Sequence, residues 1–569
     1  MSIGELPNGI MNLLHSSSIR KGILLTAGIL LIISLLVFEF IAVGRYAEYP
    51  WWHHLYEVND TDATHAGQTL VLLNGHRVYM IVHPAATIYT IHSLAYRIRA
   101  LADRRFRQIL NLEAIGNLEQ AAHAMDVVTR FSRQINFATV LVFGVLFSIL
   151  LLQLTGRVSV TVLLAFYVLL SPAFLRHTPV VRPEILSLLF LVTAMNIGVR
   201  MLERPAGSCP GRMIFYCSCG ILLGCAVFSK VQVLPLVAVY MVGMSVLLYF
   251  RPEEETGLRY PYRHQILIGI GLVNLLIFPW WALTRPAFLT PAAIQDLNVH
   301  LKKLYGPCPS GFHGPVLAAL IFLLGLGVLL VWLNRRQDKR LTCMKKLTPV
   351  FLFVNTALTG GIVSLYLFYL PASVNLKHYV ANTQNTVYAV LTNMVYRGFM
   401  MNKTFNFDAF RDTAWIMHER NTSLFHIHIA IIVGVAALAA LVRLVLKSTS
   451  RRMDYALVLL FFALGVGMDA LASLRWLKVV QDNYAVYSMC FYVLGLGCWI
   501  SLEWAAGGRI RNYVFRGLVI GLLVAHMAVT THWLLIKPKA SGKSDQGPLL
   551  EYQNNSYWVP DFWSYARPR

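Results

Sequence analysis

Residues 135–153, INFATVLVFGVLFSILLLQ, decide the fold. The stretch carries no charged side chain, and its length is close to the roughly 20 residues with which an α-helix crosses the hydrocarbon core of a bilayer. Lipid offers the backbone no hydrogen bonds, so a spanning segment is stable only where its own amides and carbonyls pair, as in a helix. The stretch therefore predicts a membrane-spanning helix.

Comparable apolar stretches recur along the 569-residue chain, which is 57% hydrophobic and only 13% charged, whereas soluble domains carry about 25% charged residues. The predicted spans are 22–44, 135–153, 158–175, 184–200, 213–229, 232–250, 264–283, 314–334, 348–371, 425–446, 454–474, 485–504 and 514–535. We predict an all-α polytopic membrane protein of about thirteen transmembrane helices, with residues 1–535 as one domain.

The net charge of +22 is interpreted as a topology signal, because Lys and Arg collect in short cytoplasmic loops; nucleic-acid binding is not expected. The basic clusters alternate with long loops that are then placed outside, together with the C-terminus: 45–134, 284–313, 372–424 and the tail 536–569. The N-terminus is predicted inside. The tail holds Tyr557, Trp558, Trp563 and Tyr565, an aromatic set typical of a membrane interface.

The first outer loop contains a segment of helical periodicity from Ile88 onwards. Its apolar positions are Ile91, Leu94, Ala95, Ile98 and Leu101, and its basic positions are Arg97, Arg99, Arg104 and Arg105. This pattern predicts a basic amphipathic helix in the membrane interface. A helix packed on the other loops is the alternative.

Charged residues gather near the predicted outer ends of the spans, where a lipid phosphate would lie. They include Asp60, Asp62, His83, Arg182, Glu184, Lys230 and Lys478. Ionisable groups are costly at membrane depth, so they are candidates for function. A transporter would place such groups near the bilayer midplane.

Two stretches of the first outer loop of this chain resemble the corresponding loop of GT-C membrane glycosyltransferases: NDTDATHAGQTLVLLNG (59–75) and MIVHPAATIYTIHSLAYRI (80–98). The resemblance is to the lipid A aminoarabinose transferase and protein O-mannosyltransferase type. Asp62, Gly75 and His83-Pro84 match the acid, glycine and His-Pro of that pattern. Ala63 and Ala85 depart from it, where a second acid and a second proline are usual, so Asp62 and Asp60 both remain candidates for the base.

Two later stretches fit the same family: LRHTPVVRPEILSLLFL (175–191), with an Arg and an acid at the start of a span, and GILLGCAVFSKVQVLP (220–235), a glycine-rich span ending in Lys. IFPWW (277–281) and RWLKVVQDNYAVY (475–487) are weaker matches. The resemblance covers the first 285 residues best.

The resemblance implies a hexosyl- or pentosyltransferase. Such an enzyme moves a sugar from a polyprenyl phosphate to a lipid, glycan or protein acceptor outside the cytoplasm. Asp62 or Asp60 would be the general base. Donor binding would fall to Arg182, Glu184, Lys230, Lys478 and His83, with the cations facing the leaving phosphate. We expect no metal ion, no other cofactor and no nucleotide-sugar site.

Each candidate has a structural alternative. Asp62 could cap a loop helix, and Arg182 with Glu184 could form a surface pair. Lys230 could extend to the headgroups, Lys478 could be an interfacial anchor, and His83 could order its loop.

We expect the protein in a bacterial cytoplasmic membrane rather than in the endoplasmic reticulum membrane. Two other functions stay open. A lipid-linked glycan flippase or transporter would carry mid-span charges in broken helices. A glycan ligase or polymerase would concentrate cations in a late outer loop, as residues 372–424 do with Lys377, His378, Arg397, Arg411 and His418.

Overall fold

The computed structural model describes residues 62–76, 85–169, 171–178, 181–203, 209–230, 233–250, 342–379, 382–383, 408, 411, 429–446, 452–475, 485–506, 513, 517 and 521. Within these ranges the chain is helical, and no β-strand occurs in them. The α-helices are α1 (Asp62–Leu73), α2 (Ala86–Ala102), α3 (Arg104–Ile109), α4 (Leu118–Thr155), α5 (Val158–Leu169), α6 (Pro172–His177), α7 (Pro183–Glu203), α8 (Cys209–Ser229), α9 (Leu234–Phe250), α10 (Thr342–Leu367), α11 (Ile429–Leu446), α12 (Arg452–Arg475) and α13 (Ala485–Ala506). The all-α prediction is confirmed for this part of the chain.

Three of the described helices are long and apolar enough to cross a membrane: Glu119–Thr155, Pro183–Leu202 and Ala485–Trp504. Shorter apolar helices cover Val158–Leu169, Met213–Ser229, Leu234–Tyr249 and Ala430–Val445. The chain is thus a helical membrane protein. The predicted spans 22–44, 264–283 and 314–334, and nearly all of 514–535, lie outside the described residues. The total of thirteen therefore stays a prediction.

The chain divides into two compact units. The first comprises Met1–Asn74, Ile91–Val192 and Asn402–Arg569, and the second comprises Gly75–Thr90 and Thr193–Met401. Each is described by itself below. A single domain over residues 1–535 stays a prediction.

Within the first unit, helices of the first outer loop pack on the N-terminal part of α4. Asn74 joins α1 to the end of α3, because its Nδ2 donates to the carbonyl oxygens of Leu70 and Leu110 at 2.8 Å each. The buried Tyr96 hydroxyl of α2 hydrogen-bonds the Ser132 hydroxyl of α4. The described part of the loop, 62–76 and 85–134, is therefore folded against α4.

Helix α4 has 38 residues, which makes it about 57 Å long at ~1.5 Å per residue and much longer than the ~30 Å hydrocarbon core. The side chain of Asn117 caps its start by accepting from the Gln120 amide at 2.8 Å. Gly156 ends it in a left-handed conformation, φ 62°, and donates to the Leu152 carbonyl at 2.8 Å. The predicted span 135–153 is only the C-terminal half of this helix.

The predicted span 158–175 is interrupted in the structure. Helix α5 ends at Leu169, and α6 restarts at Pro172 with Ser171 as its N-cap, whose Oγ accepts from the Phe174 amide at 3.3 Å. Proline has no amide hydrogen for an earlier carbonyl, and its fixed φ suits the first helical position. The break separates α5 from α6 ahead of α7.

In the second unit, α8 packs along α10 through small residues. A Cβ on Gly220 would overlap the backbone of Ala357, and one on Gly224 would overlap the Ser364 hydroxyl. Glycines four residues apart lie on one helix face and let two backbones approach closely, the usual means of packing helices in membranes. The contact fixes α8 up to its last turn.

In the first unit, a polar cluster joins α11, α12 and α13. The Arg443 Nε and Nη2 donate to Glu503 Oε1 and Oε2 at 3.3 Å each, and the Tyr455 hydroxyl donates to Glu503 Oε1 at 3.2 Å. A bidentate pair fixes orientation better than a single contact. The three helices are held near the C-terminal end of α13.

Candidate active site

The start of α7 places two predicted site residues in the protein interior. Pro183 opens the helix, as its fixed φ and missing amide hydrogen favour. Arg182 is 6% exposed and Glu184 is 2% exposed. The surface-pair alternative requires exposed side chains in ionic contact, and no ion pair joins these two among the contacts of the described residues. The structure therefore argues against that alternative.

Arg182 is a buried cation with no carboxylate paired to it among the described residues. Only 6% of the residue is exposed. In the described part of the chain its guanidinium makes no ion pair and no hydrogen bond. A buried charge is costly unless it is paired. The planar fork of an arginine matches carboxylate and phosphate oxygens in a bidentate manner. The position is therefore suited to an anionic ligand.

Two buried hydrogen-bonded contacts support this turn. The Asn136 Nδ2 of α4 donates to the carbonyl oxygens of His177 and Thr178 at 3.0 Å each, which ties the chain ahead of Arg182 to α4. One turn into α7, the Ser187 hydroxyl lies 2.6 Å from the hydroxyl of Tyr487 on α13. The start of α7 is thus held on both sides by other helices of its unit.

In the second unit, Lys230 follows the last residue of α8 and is 6% exposed. Its amide donates to the Ala226 carbonyl at 3.0 Å, and its carbonyl accepts from the Val233 amide at 3.1 Å, so it forms the turn into α9. The neighbouring Ser229 hydroxyl is 2.5 Å from that of Thr87. A lysine anchored in the headgroups would be exposed, and this burial argues against that alternative.

Asp62 is the first residue of α1. The capping alternative and the base assignment both remain. The other three predicted residues, Asp60, His83 and Lys478, lie outside the described residues. The catalytic role of the aspartates stays a prediction.

Two histidines of the first outer loop are buried. His65 of α1 and His92 of α2 are almost fully covered, and the His92 ring stacks on Tyr96 with centroids 6.1 Å apart. Burial, and secondarily the charge interaction with His65, lowers the pKa of His92 to about 3. His92 is therefore neutral at physiological pH and part of the loop core.

Asp469 is the site candidate that the sequence interpretation missed. It lies inside α12, is 2% exposed, and accepts a hydrogen bond from the Tyr492 hydroxyl of α13 at 2.6 Å. The signal was present in the sequence, because an acid within the apolar stretch 454–474 is costly and so a candidate for function. The acid lies within the apolar stretch and not at one of the predicted outer ends, where the other candidates lie.

The cations of the late loop are not assembled into a site where they are described. The His378 Nε2 lies 2.8 Å from the His76 carbonyl oxygen, and its Nδ1 is 3.4 Å from the Val374 amide nitrogen. Both ring nitrogens are thus engaged with backbone. Arg411 is exposed and pairs with Asp408 at 3.4 Å. Arg397 and His418 lie outside the described residues.

Within the described ranges, no cluster of three or more His, Cys, Asp or Glu side chains could hold a metal ion. The expectation of a metal-independent reaction stays a prediction.

Residues 116–290 match the family model of dolichyl-phosphate-mannose-protein mannosyltransferases. The matched segment contains Arg182, Glu184 and Lys230, while Asp60, Asp62 and His83 precede it and Lys478 follows it. No curated protein and no solved structure matches the chain. The matched family is one of the GT-C superfamily, so the resemblance of this chain to GT-C membrane glycosyltransferases is confirmed through residues 116–290.

Proposed function

We propose that the protein transfers a sugar from a polyprenyl phosphate to an acceptor on the extracytoplasmic face of a bacterial cytoplasmic membrane. The family match supports a membrane glycosyltransferase of GT-C type, and the family's name includes a lipid-phosphate sugar and a protein acceptor. The observation that carries the donor assignment is Arg182, a buried cation with no described counter-charge at the start of α7. The phosphodiester that joins the lipid to the sugar in such a donor would supply that charge.

The reaction needs one bond made and one broken. The acceptor hydroxyl or amide attacks the anomeric carbon of the sugar, while the bond from that carbon to the phosphate oxygen breaks on the opposite face, so the configuration inverts. The acceptor proton passes to Asp62, or to Asp60 in its place. A positioned base of this kind raises the reaction rate by about 10²–10⁴-fold.

The leaving polyprenyl phosphate gains negative charge as the bond breaks, and groups preorganised for that charge lower the barrier. Arg182 would bind two phosphate oxygens, and Lys230 and Lys478 would act as point charges. Glu184 would contact the sugar or orient Arg182, and His83 would complete the donor set.

The direct experiment supplies the purified protein in liposomes with a radiolabelled polyprenyl-phosphate sugar and measures label in the acceptor fraction. Asp62→Asn should abolish transfer and keep donor binding if Asp62 is the base, and Asp60→Asn is its matched control. Equal turnover by wild type and Asp62→Asn would remove Asp62 from this role. Loss in Asp60→Asn alone would assign the base to Asp60.

The same liposomes distinguish the transporter hypothesis, because label that crosses the bilayer still attached to polyprenyl phosphate is translocation without bond transfer. That result would overturn the enzyme assignment. Lys230→Glu should raise the KM for the donor, since it places an anion where the phosphate is proposed to bind. An unchanged KM would leave Lys230 as a residue of the turn alone.

A further inference from the structure

Lys230 is buried where three elements of the second unit meet. It follows the last residue of α8. The ring of Phe228, in the last turn of α8, packs edge-on against Phe368 just beyond the end of α10, with centroids 5.3 Å apart. The third element is the N-terminal end of α2, whose Thr87 hydroxyl lies 2.5 Å from that of Ser229. Ser229 is the residue directly before Lys230.

The donor and the acceptor in the contact between Thr87 and Ser229 can be assigned. A hydroxyl has one proton to donate. Ser229 Oγ donates to the carbonyl oxygen of Cys225 in its own helix at 2.7 Å. Thr87 is therefore the donor in its contact with Ser229. The hydroxyl of Thr87 thus ties α2 to the residue next to Lys230.

The end of α2 that carries Thr87 is also bonded to the chain that leaves α10. Tyr369 has φ 62°, a left-handed conformation that bulky residues rarely adopt. Its amide donates to Thr90 Oγ1 at 3.2 Å, and its carbonyl oxygen accepts from the amides of Ala372 and Ser373 at 3.0 Å and 2.8 Å. A strained backbone persists only where surrounding contacts hold it. Thr87 and Thr90 are three residues apart on one face of α2, so both bonds act on the same helix end.

We propose that Thr87 is a positioning residue, which holds the Lys230 turn where the lysine ammonium can bind the donor phosphate. A lysine acts on a phosphate as a point charge on a flexible stem, so the place of its backbone decides how well the charge is aligned. The bond from Thr87 to Ser229 fixes that backbone to α2, and the Tyr369 turn fixes α2. Thr87 itself does not touch the substrate. This role rests on the proposed function, since Lys230 is taken there to bind the donor phosphate.

The first test follows Lys230 in the purified full-length protein without donor. It measures by mass spectrometry the rate at which an amine-reactive acylating reagent modifies this lysine. Thr87→Val keeps the branched shape and removes the hydroxyl. Loss of one neutral hydrogen bond favours the opened turn by about 2- to 12-fold, and the rate should rise by that factor. Thr87→Ser should return the rate to that of the wild type. Thr139→Val is the matched control and should not change it, because Thr139 donates to the Ile135 carbonyl in its own helix at 2.9 Å.

The second test measures transfer from the radiolabelled polyprenyl-phosphate sugar. Thr87→Val should raise the donor KM by about 2- to 12-fold and leave kcat nearly unchanged, and Thr87→Ser should restore the KM. In a Lys230→Met background, Thr87→Val should leave the donor KM unchanged, because the group that Thr87 positions is absent. A general loosening of the fold would raise the KM in both backgrounds.

The two tests separate this role of Thr87 from the proposed function. Equal modification of Lys230 in the wild type and in Thr87→Val would overturn the role of Thr87, whether or not the protein transfers sugar. An equal rise in KM in the wild-type and Lys230→Met backgrounds would also overturn it. No transfer by the wild type, with faster modification in Thr87→Val, would overturn the proposed function and show that Thr87 holds the Lys230 turn for another purpose.

Discussion

Replacing Arg182 by methionine should move stability and catalysis in opposite directions. Arg182 is 6% exposed and has no counter-charge in the described part of the chain. Exchanging a buried charge for an apolar side chain of similar volume is neutral or stabilising by about 1–4 kcal/mol, so the donor-free protein should not lose stability. The same exchange removes two charge-assisted hydrogen bonds to the phosphate, each worth about 1.5–3 kcal/mol, so kcat/KM should fall by at least about 150-fold.

Thermal unfolding in detergent without donor measures the first effect, and transfer of radiolabelled sugar measures the second. Adding donor should raise the unfolding temperature of the wild type and not of Arg182→Met, because a ligand stabilises only the state that binds it. Arg130→Met is the control, since an exposed helical ion pair contributes under about 1 kcal/mol. A lowered unfolding temperature, or transfer at the wild-type rate, would refute the reasoning for Arg182.

Three further predictions test the supporting structure. His92→Phe should remove a pH dependence: the folded protein holds His92 neutral with a pKa of about 3, while the unfolded chain protonates it near 6.5, so stability falls as pH drops below about 6.5. At pH ~5 this amounts to about 2 kcal/mol, and thermal unfolding of the variant at pH 5 and 7 should show a smaller difference than that of the wild type. Asn136→Ala removes the amide that donates hydrogen bonds to two buried carbonyl oxygens, which should lower the free energy of unfolding by about 2–4 kcal/mol. It should also raise the KM for the sugar donor. A KM at the wild-type value would show that this contact does not support the site. Tyr492→Phe should lower the unfolding temperature more than Asp469→Asn, because it removes one donor from a buried carboxylate while the amide keeps an acceptor. The reverse order would argue against a stabilising role of this hydrogen bond.

The limits of a helix were predictable from hydropathy where the residue that bounds the apolar stretch also begins the helix. The stretch 184–200 predicts a span, and α7 runs Pro183–Glu203 because the proline that bounds the apolar residues also opens the helix. The start of α4 was not predictable in this way. Its apolar stretch begins at 135 but the helix begins at Leu118, since hydropathy reports the surrounding solvent and not the backbone conformation.

The candidate cations were predictable, but their burial was not. Arg182 and Lys230 stand out as charges at the ends of apolar stretches. Whether such a side chain is covered depends on contacts between residues far apart in the sequence, such as that between Ser187 and Tyr487, which are 300 residues apart. No local pattern encodes these pairings. Asp469, by contrast, could have been found from its position in an apolar stretch alone.

Helix α2 shows why periodicity identified a helix and left its surroundings open. The sequence predicts a basic amphipathic helix, and either membrane or protein could cover its apolar side. In the structure, protein covers the side that carries His92 and Tyr96, while Leu101 remains exposed. The His92 ring stacks on Tyr96, and the Tyr96 hydroxyl donates to the Val128 carbonyl oxygen. One side of the helix is thus satisfied by protein, whereas the leucine side is exposed in the described part of the chain. Its placement in the membrane interface stays a prediction, because periodicity shows which residues share a face and not what covers that face.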